Sequence, residues 1–163
     1  MSVLELCQLL SDSRFGTALR ESQYMFPLVE GIHVLALGAS VGLVMWIDLR
    51  FIGAAMTGEP AGDVIQPLRK FMLAGFAVMA LSGSLLFWSE AARVYPSTTF
   101  RLKFVFLAVA AMNALVFEVR ERRLGLVASG GGSLPGYAVA AGWISLICWA
   151  AVIAFGRWTA YGL

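Results

Sequence analysis

Apolar residues in this chain run in long stretches, and the polar residues gather in blocks between them. A bilayer core of ~30 Å takes about 20 mostly apolar helical residues, because a helix rises ~1.5 Å per residue. Four stretches are that long: from about Phe26 to Trp46, Phe71 to Trp88, Phe100 to Phe117 and Gly136 to Phe155. Pro27 falls at a helix-start position of the first. The segments FIGAAMTGEPAGDVIQPLRK, SEAARVYPSTTF and EVRERRLGLVASGGGSLPG contain most of the glycine clusters and half of the charges. They read as connections, not domains, with the GGG at 130–132 in a flexible loop.

The first 23 residues pattern differently. Val3, Leu4, Cys7 and Leu10 recur at helical spacing opposite Glu5, Gln8 and Asp12, which predicts a short helix lying in the membrane interface. The segment lacks the basic start, long apolar centre and small-residue cleavage site of a secretory signal. The expected fold is therefore all-α, an integral membrane four-helix bundle over residues 24–163 preceded by an interfacial helix within residues 1–23.

Finer features suit that outline. Trp46, Trp88, Tyr95, Tyr137, Trp158 and Tyr161 fall near the expected span ends, as an aromatic belt places them. Gly38 and Gly42 form a GxxxG pair in the first span, and Gly75, Ser82 and Gly83 keep the second slim enough for close helix packing. No strong internal repeat is visible.

Composition points to lipid as the solvent for most of the chain. Residues of the apolar set make up 60% and charged residues 13%, and the mean hydropathy is +0.80. A net charge of +2 without a basic, aromatic-interleaved patch gives no reason to expect a nucleic-acid partner. Cys7 and Cys148 have neither CxxC nor CxxCH spacing, so zinc-ribbon and covalent c-type haem sites are not encoded and both read as unpaired apolar fillers. Catalytic triads, phosphate-binding loops and dinucleotide fingerprints are absent. Arg69, Lys70, Arg120, Arg122 and Arg123 cluster beside the first and third connections, whereas Arg14, Arg20, Arg93 and Arg157 are scattered on the other side. The positive-inside rule then places both termini outside the cytoplasm.

An ionisable residue inside a span costs about 2.5 to 3.5 kcal/mol on insertion scales, so each one asks for a reason. Glu30 and His33 in the first span and Lys103 in the third stand out, with Arg101 just before Lys103. Glu30 and His33 are three apart on one helical face, where the carboxylate can hold the imidazole. Spans one and three run in the same direction, with His33 ~10 Å and Lys103 ~5 Å from their starts, so both belong to one leaflet. Zinc usually takes four donors and neither cysteine is near, whereas haem needs only one or two axial donors, which a neutral imidazole and a deprotonated lysine amine can supply. The opposing reading makes His33 a polar contact satisfied by Glu30 and lets Lys103 snorkel to the interface. Met72, Met79 and Met112 are soft donors, but no Met-x-x-Met array marks a copper path.

The strings VEGIHVLALGASVGLVMWIDLRFIG, PLRKFMLAGFAVMALSGSLLFWSE and FRLKFVFLAVAAMNALVFEVRERR resemble a bacterial family of small four-span membrane proteins of poorly characterised function. More distantly, the chain is similar to the membrane domain of the copper-resistance D family and to the membrane-bound, haem-containing protoporphyrinogen oxidase. The resemblance covers roughly residues 26 to 123 and rests on short motifs: a histidine early in span one, an arginine at its far end and a lysine early in span three. It implies a bacterial inner-membrane location and a haem b held by the positions that match His33 and Lys103. Arg50 matches the arginine after the first span and is a partner for Asp48 or a propionate; Arg101, close to Lys103, is the better placed for a propionate. The further histidines of the oxidase are missing, so protoporphyrinogen oxidation does not carry over.

Three functions follow as expectations. The first is a haem b protein passing electrons between a quinone or periplasmic carrier and a partner, with His33 as axial ligand, Lys103 as second ligand or neighbour, Glu30 orienting His33 and Arg101 clamping a propionate. The second is a non-catalytic accessory or anchor subunit of a larger membrane complex or a homo-oligomer. The third is a small transporter or copper-handling protein.

Overall fold

The computed structural model describes residues 2–125, 127 and 134–161, so the GGG segment lies outside the described residues. Six helices make up the fold: α1 (Val3–Ser11), α2 (Arg14–Glu21), α3 (Met25–Phe51), α4 (Ala61–Val94), α5 (Thr98–Leu124) and α6 (Gly136–Tyr161). No strand occurs among the described residues. The last four are each long and apolar enough to cross a membrane.

All four long helices extend beyond the apolar stretches that mark them in the sequence. α4 begins at Ala61, ten residues before Phe71, and contains Pro67. A proline this close to a helix start removes one hydrogen bond near an end where freed carbonyls can meet water, so it does not break the helix. The charged block after Phe117 stays helical as well: Glu118 bonds Arg122 one turn on at 2.9 Å, and the helix stops where Gly125 takes a left-handed conformation at φ 60°. Charge and proline mark where a helix leaves an apolar environment, not where it ends.

The N-terminal segment forms two helices instead of one. Ser2 and Glu5 make a reciprocal capping box on α1, and Ser13 caps α2 by accepting from the Gly16 amide at 3.1 Å. Gly16 is required at this corner, since a Cβ there would fall 2.6 Å from the Leu10 carbonyl oxygen. The pair docks on the C-terminal end of α4. Arg20 donates to the carbonyls of Ser11 and Ser89, the Ser11 hydroxyl accepts from the Ala92 amide, and Trp88 donates to Ser13 Oγ at 3.0 Å while its ring meets Phe15 edge-on. Cys7 is buried in this contact, whereas Val3, Leu4, Leu6 and Leu9 remain exposed on the outer side of α1.

α3 packs on both α4 and α6, and α5 packs on α6, whereas α4 and α5 hardly approach each other beyond the turn that joins them. Small residues bring the close pairs together. A Cβ on Gly75 would overlap the Ser40 hydroxyl, and one on Gly142 would fall 3.0 Å from Phe51 Cβ. Two apolar clusters fill the interior. One gathers Val41, Ala110, Cys148, Trp149 and Val152, and the other gathers Ile47, Phe51, Ala61 and Ala138. Both cysteines are free and buried.

Candidate functional site

The short turn between α4 and α5 sets the polarity: the starts of α3 and α5 and the ends of α4 and α6 share one end of the bundle. At that end His33 projects from α3 onto α4. Its Nδ1 lies 3.0 Å from Ser82 Oγ, and its ring lies against Gly83, where a Cβ would stand 2.9 Å from Cε1. A larger residue at 83 would occupy the space of the imidazole.

The hydrogen-bond network selects the tautomer. Ser82 has one hydroxyl proton, and it is directed at the Val78 carbonyl at 2.7 Å, with the Met79 carbonyl more distant at 3.3 Å. The hydroxyl therefore accepts from His33, which puts the proton on Nδ1 and the free lone pair on Nε2. Held this way, the imidazole has the form of a metal ligand with its other nitrogen already oriented by a hydrogen bond.

Lys103 projects from α5 toward α6. Its chain lies on Gly156, with Nζ 3.7 Å and Cδ 3.8 Å from where a Cβ would be. No carboxylate pairs with it among the described residues. His33 lies within electrostatic reach of both Lys103 and Glu30. The histidine thus lies against Gly83 of α4 and the lysine against Gly156 of α6. Aromatic pairs bridge the helices that flank them. Phe87 of α4 stacks on Phe100 of α5 at 5.6 Å, and Phe106 of α5 stacks on Phe155 of α6 at 5.6 Å.

The other residues singled out in the sequence take different positions. Glu30 is exposed, and Ser82 on α4, not Glu30, makes the hydrogen bond to His33. Arg101 is also exposed, with Nε bonded to the Tyr95 carbonyl at 3.2 Å and its guanidinium over the Tyr95 ring. Arg50 does not pair with Asp48. It is buried, and its Nε and Nη2 both donate to the Glu59 carbonyl, at 3.0 and 2.7 Å, tying down the connection between α3 and α4. A cleft of about 490 Å³ lies near that connection, lined by Trp46, Met56, Glu59 and Asp63 among others, and includes neither His33 nor Lys103.

Several buried polar residues went unremarked as such in the sequence, among them Ser40, Asp48 and Ser145. Asn113 joins them as a tie between α5 and α6, donating to the Ala141 carbonyl at 2.9 Å. Their signal in the sequence is faint, because a serine or an asparagine in an apolar helix costs little and the phase of the helix decides what it faces.

Among the described residues no three His, Cys, Asp or Glu side chains gather closely enough to hold a metal ion. A group bound at this end would rely on the imidazole and the amine. No protein-family profile, curated protein or solved structure matches the chain.

Proposed function

We propose that this chain is a multi-pass bundle of the bacterial inner membrane that binds haem b and serves an electron-transfer role, with both termini on the periplasmic side. The observation that carries the reading is the hydrogen bond from His33 Nδ1 to Ser82, which leaves the Nε2 lone pair available to a metal.

The residues present fit such a group. His33 would hold the iron through Nε2, with Lys103, unpaired by any carboxylate among the described residues, as a further ligand or a neighbour. Gly83 and Gly156 keep bulk away from both. Arg101, at the exposed rim, would exchange the Tyr95 carbonyl for a propionate oxygen. Glu30 contributes a negative charge near the imidazole. Bound haem b would supply a one-electron redox centre, with a quinone or a periplasmic carrier as its exchange partner.

The test is the optical spectrum of protein purified from cells supplied with haem precursor. A Soret band that titrates with added haem to one equivalent supports the reading. Colourless protein that takes up no haem rejects it.

A second reading, an accessory subunit of a larger membrane assembly, is favoured by one feature. Gly31, Gly38 and Gly42 share a face of α3, and nothing lies within 4 Å of a Cβ placed on any of them. Elsewhere in the chain such glycines receive a neighbouring helix, so this face is suited to a helix of another subunit or a second copy. Co-purification with a fixed partner, together with full tolerance of His33→Gln, would favour it over haem binding.

A further inference from the structure

The half of the bundle opposite His33 contains a carboxyl group that neither reading uses. Asp48 stands on the last turn of α3, fifteen residues after His33 and so ~22 Å along the helix. It is 5% exposed, and its Oδ2 has no hydrogen-bond partner. Its side-chain hydrogen-bonding neighbour is the Ser145 hydroxyl of α6. Gly142, one turn before Ser145, brings the α6 backbone close enough that a Cβ there would lie 3.1 Å from the Asp48 carbonyl oxygen.

Among the described residues no salt bridge reaches this group. Arg50, two residues on, is committed to the Glu59 carbonyl, and Arg69 and Arg122 are both taken by Glu118. From α6 the nearest titratable group along the same face is the buried thiol of Cys148, and α5 contributes the neutral amide of Asn113. Apolar clusters close both sides along the bundle axis, with Ile47 and Phe51 on one and Val41 and Trp149 on the other.

We propose that Asp48 is a proton-binding site, a carboxyl group that takes up and releases a proton inside the bundle. Ionised, it would hold a full charge with one hydroxyl to solvate it, the arrangement that apolar surroundings penalise most. With a proton on one oxygen the charge is gone, and the other oxygen keeps the Ser145 hydroxyl. A hard metal cation is a poorer occupant, since it takes about six or more oxygen ligands and this site offers a carboxylate and one hydroxyl. Carboxyl groups buried among membrane helices with no counter-ion are the elements from which proton relays are made. This inference is independent of haem, because nothing in it involves the His33 end.

Infrared spectroscopy of the full chain in lipid at neutral pH tests it. The expected spectrum contains a protonated-carboxyl C=O band that shifts on transfer to D₂O and disappears in Asp48→Asn. In Glu30→Gln, which removes an exposed carboxyl of the same helix, the band stays. Should Asp48→Asn fail to fold, Asp48→Glu must move the band without abolishing it. Absence of the band, loss of it in Glu30→Gln, or failure to shift in D₂O each overturns the proposal, the last because the proton would then be fixed and not exchanging. Suppression of the band by sodium or potassium at constant pH would make the site a cation site instead and overturn it too.

Discussion

His33 Nδ1 and Ser82 Oγ lie 3.0 Å apart, and because the serine proton is directed at the Val78 carbonyl, the histidine is the donor. One hydroxyl on α4 thereby decides which nitrogen of a histidine on α3 is available for chemistry. Ser82→Ala removes this acceptor and leaves the Met79 carbonyl as the remaining α4 partner of the ring. Loss of such an orienting partner commonly costs 10- to 100-fold in affinity for the bound group. Haem titration of the purified apoprotein should show a weakening of about that size in Ser82→Ala, and an unchanged affinity would mean that the bond is structural only.

The two glycines at this end make opposite predictions. A Cβ on Gly83 meets His33 Cε1 at 2.9 Å, whereas one on Gly156 comes no closer than 3.7 Å to Lys103. Gly83→Ala should therefore displace the imidazole, with an overpacking cost of about 1 to 3 kcal/mol. Gly156→Ala should be neutral or stabilising by up to about 1 kcal/mol, since alanine favours the helix. Thermal unfolding in detergent compares them, and equal effects would contradict the placement of the histidine.

Arg50 is expected to act on the fold and not on the site. Its paired hydrogen bonds to the Glu59 carbonyl, at 3.0 and 2.7 Å, need the planar fork of a guanidinium. Arg50→Lys should cost about 1.5 to 3 kcal/mol and raise amide exchange in residues 52–60, with haem affinity unaltered. A selective loss of haem would show instead that Arg50 serves a propionate.

Arg20 joins the N-terminal helices to α4 through the Ser11 and Ser89 carbonyls. Arg20→Ala should release residues 2–22 to limited proteolysis while the four long helices survive, at a cost of about 1.5 to 3 kcal/mol to the docked state. Unchanged protection of that segment would show that Trp88 and Ser13 suffice to hold it.

The four long helices and their order were legible from the four apolar stretches, because length and composition alone make a helix long enough to cross a bilayer. Helix ends were not. Pro67 and the charged block from Glu118 read as breaks, yet both lie within helices, because the first costs one hydrogen bond near an end and the second supplies its own ion pairs. The N-terminal segment was read as one helix because its apolar spacing shows, whereas the corner at Ser13 and Gly16 depends on a cap and a missing Cβ.

At the candidate site, His33 and Lys103 stood out in the sequence because a single histidine and a lysine within long apolar stretches ask for a reason. Their partners were not. Glu30 is the nearest polar residue in the sequence and lies on the same face, but the contact that forms is with Ser82, forty-nine positions away, because α4 packs on the side of α3 that carries the imidazole. Asp48 beside Arg50 suggested an ion pair for the same reason of proximity. Residues two apart on a helix point in different directions, and here one turns to α6 and the other to the connection after α3.

The central claim, that His33 is an iron ligand, is tested most directly by the optical spectrum of His33→Ala beside wild type, both expressed with haem precursor and both checked for intact helical content. The account predicts a Soret band in wild type that is lost or shifted in His33→Ala. A band of equal position and intensity in both proteins would contradict it, as would its absence from wild type.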